Sequence, residues 1–351
     1  MDANETEVID PSEDEVLDFT YSITSYGADY PVDSLIKRMR DKKIRVPSFQ
    51  RGYVWKERQA SRFIESLLLG LPVPGIFLSK DVDSPDLLVI DGQQRLKSLL
   101  YYYDGLIEEK VFRLKEVQER FEGKTYKELA ADDRQRLDDS IIHATIVKQD
   151  EPSEDNSSIY LVFERLNTGG SQLQPQEIRS AIYSGAFAEL LKKLNEFPAW
   201  RNLYGNQSAR LKDEEFILRF FAMYLYRDKY RKPLTGFMNK YMAKNKDLKL
   251  HSADKLTKIF ELTVAFVNDV LGKKAFRPIR AINASIFDSV MVGVAEMYTK
   301  KSNFPDKKTF LASYNNLLAN EEYLLATTDA TSDEPVVERR MKLAINAFSD
   351  L

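Results

Sequence analysis

The chain has 351 residues, 43% of them hydrophobic and 30% charged, a balance that fits a soluble globular protein of one large domain or two ordinary ones. It has no cysteine and only two histidines, His143 and His251. That excludes disulfides, thiolate metal centres, cysteine nucleophiles and multi-histidine metal sites, and it leaves histidine-based nuclease chemistry without its residues. The net charge of −3 gives no overall pull toward nucleic acid. No apolar run approaches the roughly 20 residues needed to span a bilayer, and the N-terminus is acidic where a secretory signal is basic, so a cytoplasmic protein with no membrane partner is expected.

Residues 1–18 carry acidic side chains and no basic ones, and read as a solvated arm with the composition of disorder. From residue 19 to 155, strand and helix signals alternate. Phe19 to Tyr26 alternates large and small side chains as a half-buried strand does. Pro31-Val32-Asp33-Ser34 opens a short helix, and Ile44-Arg45-Val46 is a brief strand ended by Pro47. Phe63, Ile64, Leu67 and Leu68 repeat at helical spacing before Gly70. Ile76-Phe77-Leu78 and Leu87-Leu88-Val89-Ile90 read as buried strands. A helix with Leu96, Leu99, Leu100 and Tyr103 on one face follows, closed by Asp104-Gly105, and Ala144–Lys148 adds a further strand. From 156 to 351 the strand signals vanish and amphipathic segments take over, as in Leu256–Leu271, where Gly272 stands at the helix C-terminus. The fold class expected is α+β: a small mixed sheet with helices, then an all-α region, with the acidic stretch 150–155 between them.

Three segments carry candidate chemistry. In Val89-Ile90-Asp91-Gly92-Gln93-Gln94-Arg95-Leu96 a buried strand runs through a glycine turn into a helix. Amides at a helix N-terminus favour an anion, and Gly92 lets a ligand approach the backbone. Arg95 sits in the first turn, where a cation is disfavoured by roughly 0.3–1 kcal/mol unless an anionic partner is present. Asp91 has the chemistry to hold Mg²⁺, orient a water or accept from a ribose hydroxyl. A structural alternative stands beside this: Asp91 and Gln94 have capping-box spacing, and Arg95 can pair with an acidic side chain. In Pro47–Trp55, Gln50 and Arg51 lie between aromatics that either wall a ligand or anchor the loop to the core. In Phe163–Ser171, Glu164 and Asn167 lie three apart on one face before a glycine-containing loop, either as ligands of a ribose or metal or as part of a plain helix–loop–helix. Basic residues gather at 201–249 and again at Lys273, Lys274, Arg277 and Arg280, a candidate DNA-binding surface or simply a solubilising one.

Pro-Ser-Phe-Gln-Arg-Gly-Tyr-Val-Trp (47–55), Ile-Asp-Gly-Gln-Gln-Arg-Leu (90–96) and Phe-Glu-Arg-Leu-Asn-Thr-Gly-Gly (163–170), in this order, resemble the N-terminal domain of GmrSD-type restriction systems, the DGQQR domain, from about residue 26 to about residue 230. The resemblance implies a ParB/sulfiredoxin-like fold for residues 19–155. It also implies NTP binding with the base unassigned, Mg²⁺-assisted hydrolysis, and a place in anti-phage or modified-DNA restriction. It carries nucleotide binding to Gln50, Arg51, Asp91, Gly92, Gln93, Gln94, Arg95, Glu164 and Asn167, with Asp91 and Arg95 as the catalytic pair and Asp91 as the metal ligand. Many members carry a histidine-rich HNH nuclease module. This tail has only His251, so DNA cleavage by the chain itself is not expected. Either a nuclease or other defence protein is encoded separately as a partner, or the complex acts without cleavage. DNA and a homo-oligomer are compatible, and the alternative reading is a non-catalytic DNA-binding or partner-binding subunit.

Overall fold

In the computed structural model the described residues are 6–10, 22–47, 53–80, 86–107, 109–151, 157–166, 173–349 and 351. They form two compact units, one of Thr20–Gln172 and one of Leu173–Leu351 together with Met1–Phe19. Strand β1 (Val8–Ile9) thus belongs to the second unit, although the next strand in sequence belongs to the first.

The first unit is built on β2 (Ser22–Pro31), α1 (Val32–Arg40), β3 (Ile44–Arg45), α2 (Glu57–Leu68), β4 (Ile76–Lys80), β5 (Leu87–Asp91), α3 (Gln93–Asp104), the hairpin β6 (Leu106–Ile107) and β7 (Lys110–Val111), α4 (Ala131–Asp139), β8 (Ile141–Glu151) and α5 (Ser157–Leu166). The sheet is mixed, in the order β2-β8-β4-β5-β3. β2 runs antiparallel to β8 and β4 antiparallel to β5, while β4 with β8 and β3 with β5 are parallel. Alternation along the strands sorts the side chains by face. Leu78, Val89, Ala144 and Ile146 join Leu35 of α1, Ile64 of α2 and Leu99 of α3 in one core cluster. Ile90 and Val147 are buried but fall on the other face, where α5 contacts β5 and β8. The expected helices are present, as are the strands at 44, 76, 87 and 144. Of the strand expected over Phe19–Tyr26, residues 22–26 lie in β2, where Ile23 and Tyr26 are exposed and not half-buried, and residues 19–21 lie outside the described residues. The buried aromatic of α3 is Tyr102, however, with Tyr103 only part-buried and bonded to Asp138.

The second unit holds α6 (Pro175–Ile182), α7 (Ala186–Asn195), α8 (Pro198–Tyr204), α9 (Lys212–Leu225), α10 (Leu234–Asn245), α11 (Ala253–Leu271), β9 (Ile282–Asn283), α12 (Ala284–Lys301), α13 (Lys307–Ala319), α14 (Glu321–Thr328) and α15 (Glu334–Ser349). Local signals set the starts: Pro175 at the first turn of α6, and Ser252, Asn283 and Asp306 accepting backbone amides ahead of α11, α12 and α13. α12 is the central element, in contact with α9, α11, α14 and α15. A Cβ on its Gly293 would sit 2.8 Å from the Phe348 ring and 3.0 Å from the Ala344 carbonyl, so the hydrogen side chain sets how closely α15 approaches. The acidic arm expected to be solvated is docked over residues 6–10. β1 pairs in parallel with β9, and Asp10 is buried against Arg219.

Candidate functional site

β5 delivers Asp91 at its end, Gly92 turns the chain, and α3 begins at Gln93. Gly92 has φ +99°, and a Cβ there would fall 2.4 Å from Cγ2 of Ile76 on β4. Both the left-handed backbone and the close strand require glycine. Gly92→Ala is expected to destabilise the first unit by about 2 kcal/mol, read by chemical denaturation followed at Trp55; a change within 0.5 kcal/mol would show that the turn relaxes freely.

The turn is not held by a capping box. Gly92 is the N-cap with no side-chain bond, and Asp91 instead pairs with Arg95, Oδ2 to Nη2 at 2.6 Å across one helical turn. The Arg95 side chain is 16% exposed against 46% for Asp91. Its Nε is buried and meets no hydrogen-bond acceptor among the described residues. An enclosed guanidinium edge of this kind is relieved by an anionic oxygen.

Gln94 is engaged within the chain. Its Oε1 accepts the backbone amides of Val54 at 3.0 Å and Trp55 at 3.3 Å. One turn later, Ser98 bonds both the Gln94 carbonyl and the Tyr53 hydroxyl at 2.7 Å. Tyr53 meets Tyr101 edge-on, and Trp55 meets Phe63. Tyr53 and Trp55 of the second motif therefore anchor its chain to α2 and α3, while Phe49 lies outside the described residues. Gln50 and Arg51, just before this anchored stretch, lie outside the described residues, as does Asn167. Glu164 is on α5, the helix that contacts β5; desolvation pushes its carboxyl above the usual range and Arg165 draws it partly back. Gln93 is buried, and Lys97, four residues on along the same helix face, has its ammonium pKa lowered by desolvation. Spacing from Gln93 was the signal that would have brought Lys97 into the candidate set. Among the described residues no group of three or more histidine, aspartate or glutamate side chains is arranged to hold a metal ion.

The basic candidates of the helical unit differ among themselves. Lys273 and Lys274 are exposed on the turn Gly272–Lys274. Arg277 gives its guanidinium to the carbonyls of Leu203 and Tyr204, at 2.8 Å each, and so closes the end of α8; desolvation lowers its pKa. Arg280 faces Glu7 at 3.4 Å with its side chain 90% exposed. A group that the basic count concealed is fully internal: Arg219 and Arg340 share Asp288, and Arg219 also reaches Asp10.

The first unit is thus a mixed sheet in which β5 runs through a glycine turn into α3, with a carboxylate–guanidinium pair at the turn. Residues 32–184 match the family model described as the GmrSD restriction endonuclease, N-terminal domain. It contains all three motifs and ends just after α6, short of the reach to about residue 230 expected from the sequence. No curated protein matches the chain. Among the described residues, no helix is long and apolar enough to cross a membrane.

Proposed function

We propose that the chain is a nucleotide-binding, Mg²⁺-dependent NTP-hydrolysing component of a bacterial restriction or anti-phage system. The observation that carries the reading is the Asp91–Arg95 pair at the β5–Gly92–α3 turn, with the Arg95 Nε buried and unbonded among the described residues, in a stretch that matches the GmrSD N-terminal family model. A triphosphate placed at the start of α3 would meet the positive end of the helix dipole and the Arg95 fork. Arg95 would hold phosphate charge as it develops, and Asp91 would orient the attacking water or hold the metal. Bound Mg²⁺ would supply charge neutralisation between the phosphate oxygens. Gln94 acts at one remove, fixing the chain at Val54 and Trp55 that follows Gln50 and Arg51.

Titration calorimetry with ATP, GTP, CTP and UTP plus Mg²⁺ tests this, beside an Arg95→Ala variant shown to be folded. Saturable binding of at least one nucleotide is expected, weakened about 10- to 100-fold in the variant, which is the ~1.5–3 kcal/mol of a charged hydrogen bond. Equal binding by both proteins would remove Arg95 from the site. The exposed Lys273 and Lys274 favour a second reading, a DNA-binding or partner-binding subunit. That reading takes over if no nucleotide binds and DNA affinity falls steeply with salt.

A further inference from the structure

Residues 6–10 are held as a bound peptide is held. β1 adds in parallel to the two-residue strand β9, with Val8 opposite Ile282 and Ile9 opposite Asn283, and the Ile282 amide donates to the Glu7 carbonyl at 3.0 Å. Thr6 Oγ1 donates to the Tyr204 carbonyl at 3.1 Å, beside Gly205, where any Cβ would come within 2.8 Å of Thr6 Oγ1. Asp10 is the anchor: Arg219 Nη1 donates to its Oδ2 at 2.7 Å, and Lys212 Nζ stands 3.4 Å away. The Asp10 side chain is 4% exposed and Arg219 is 1% exposed.

The charges explain why an acid is wanted there. Within the set Asp10, Arg219, Asp288 and Arg340, two guanidiniums face two carboxylates, and only Asp10 comes from outside the helical stretch Leu173–Leu351. If the arm leaves, two buried cations share one carboxylate. A site in that state draws the next carboxylate that can enter in extended form.

We infer that the helical unit carries a receptor groove for an extended acidic peptide, that residues 6–10 occupy it in cis, and that an acidic segment of another polypeptide with the same backbone and carboxylate spacing displaces them. The geometry fits strand addition to the edge of β9, backbone bonds giving affinity and the Arg219–Lys212 pocket giving selection for the acid. No residue of the Asp91 motif takes part, so the inference stands apart from the nucleotide reading.

The test uses a fluorescein-labelled synthetic peptide of residues 1–18 and full-length protein, read by anisotropy. Full-length Asp10→Lys, whose own arm presents a cation to Arg219, is expected to bind the peptide saturably and at least tenfold tighter than the wild-type chain, where the tethered arm competes. A peptide carrying Asp10→Asn is expected to bind at least tenfold more weakly. Absence of binding to a folded Asp10→Lys chain, or equal affinity for the two peptides, overturns the inference. Native-state hydrogen exchange of the wild-type chain decides the matter even where Asp10→Lys does not fold. The Ile282 amide is expected to exchange at least tenfold faster than amides in the middle of α12, through release of the arm alone. Exchange of Ile282 only together with those α12 amides would make β1 a fixed strand of the unit and refute the receptor.

Discussion

Asp288→Asn is expected to destabilise the helical unit by about 3–5 kcal/mol, as breaking a buried ion pair from one side does. Asp288 has no exposed surface and serves two guanidiniums. Arg219 Nε and Nη2 donate to its two oxygens at 2.6 and 2.8 Å, and Arg340 Nη2 donates to Oδ2 at 3.2 Å. Arg340 also donates to the Thr331 carbonyl, but its Nε is buried without an acceptor among the described residues. Burial alone would depress the Arg219 pKa, and Asp10 and Asp288 together lift it above the ordinary arginine value. Asparagine keeps the shape of the side chain. It removes the charge and turns one acceptor into a donor facing a guanidinium. What is lost is therefore less the attraction itself than the compensation of two cations already taken out of water. Arg340→Met added to Asp288→Asn removes one stranded cation and is expected to recover part of the loss. The two tryptophans make the measurement specific. Trp55 lies in the first unit, and Trp200 is buried in the second against Tyr204, Phe260 and Phe287. Urea denaturation followed at Trp200 in a Trp55→Phe background reports the helical unit. A loss below 1 kcal/mol would mean that water or relaxation already compensates these arginines.

Those internal charges mark the boundary of what the sequence made legible. Helices with one apolar face were legible because burial on a single side imposes the 3.6-residue period, as in α2 and α11. α4 was not, since Leu137 is its one buried residue, and β1 and β9 were not, since each is a two-residue strand defined by a partner at the far end of the chain. In the candidate site, the strand–glycine–helix turn at Asp91–Gln93 could be read from local order, whereas the bond from Gln94 to Val54 and Trp55 depends on a contact no local pattern encodes. Composition gave the acidic arm a sign but not a location, and Asp10 lies buried. A signal for the internal charges was nevertheless present. Arg219 stands inside Phe216-Ile217-Leu218-Arg219-Phe220-Phe221-Ala222-Met223, and Asp288 inside Ser285-Ile286-Phe287-Asp288-Ser289-Val290. A single charge within an apolar helical run has nowhere to go but inward, and it implies an opposite charge elsewhere in the core.

A second acid of the same unit has no such compensation, and its effect depends on pH. Glu214→Gln is expected to stabilise the helical unit by about 3 kcal/mol at pH 8 and to change it little at pH 4. Glu214 is the third residue of α9 and 6% exposed. Burial first, then Asp213 beside it and Glu189 on α7, push its carboxyl from 4.5 up to about 7, against the pull of Lys192 on α7 and Arg201 on α8. Asp213 cannot share its own partners, because its carboxylate is already engaged by Asn195, Arg201 and the Ser208 amide. Between pH 4.5 and about 7 the folded chain keeps a proton that the unfolded chain has lost, so stability falls as pH rises through that window and levels off above it. The displacement from 4.5 to about 7 corresponds to ~3 kcal/mol. The helix dipole favours a carboxylate in this first turn by only about 0.3–1 kcal/mol, too little to reverse the sign. Glutamine is neutral throughout, so the difference between the two proteins, measured at Trp200 from pH 4 to pH 8, should trace the titration of this one carboxyl. A difference that stays flat across the range would show that Glu214 ionises as it does in water, and that the start of α9 opens to solvent.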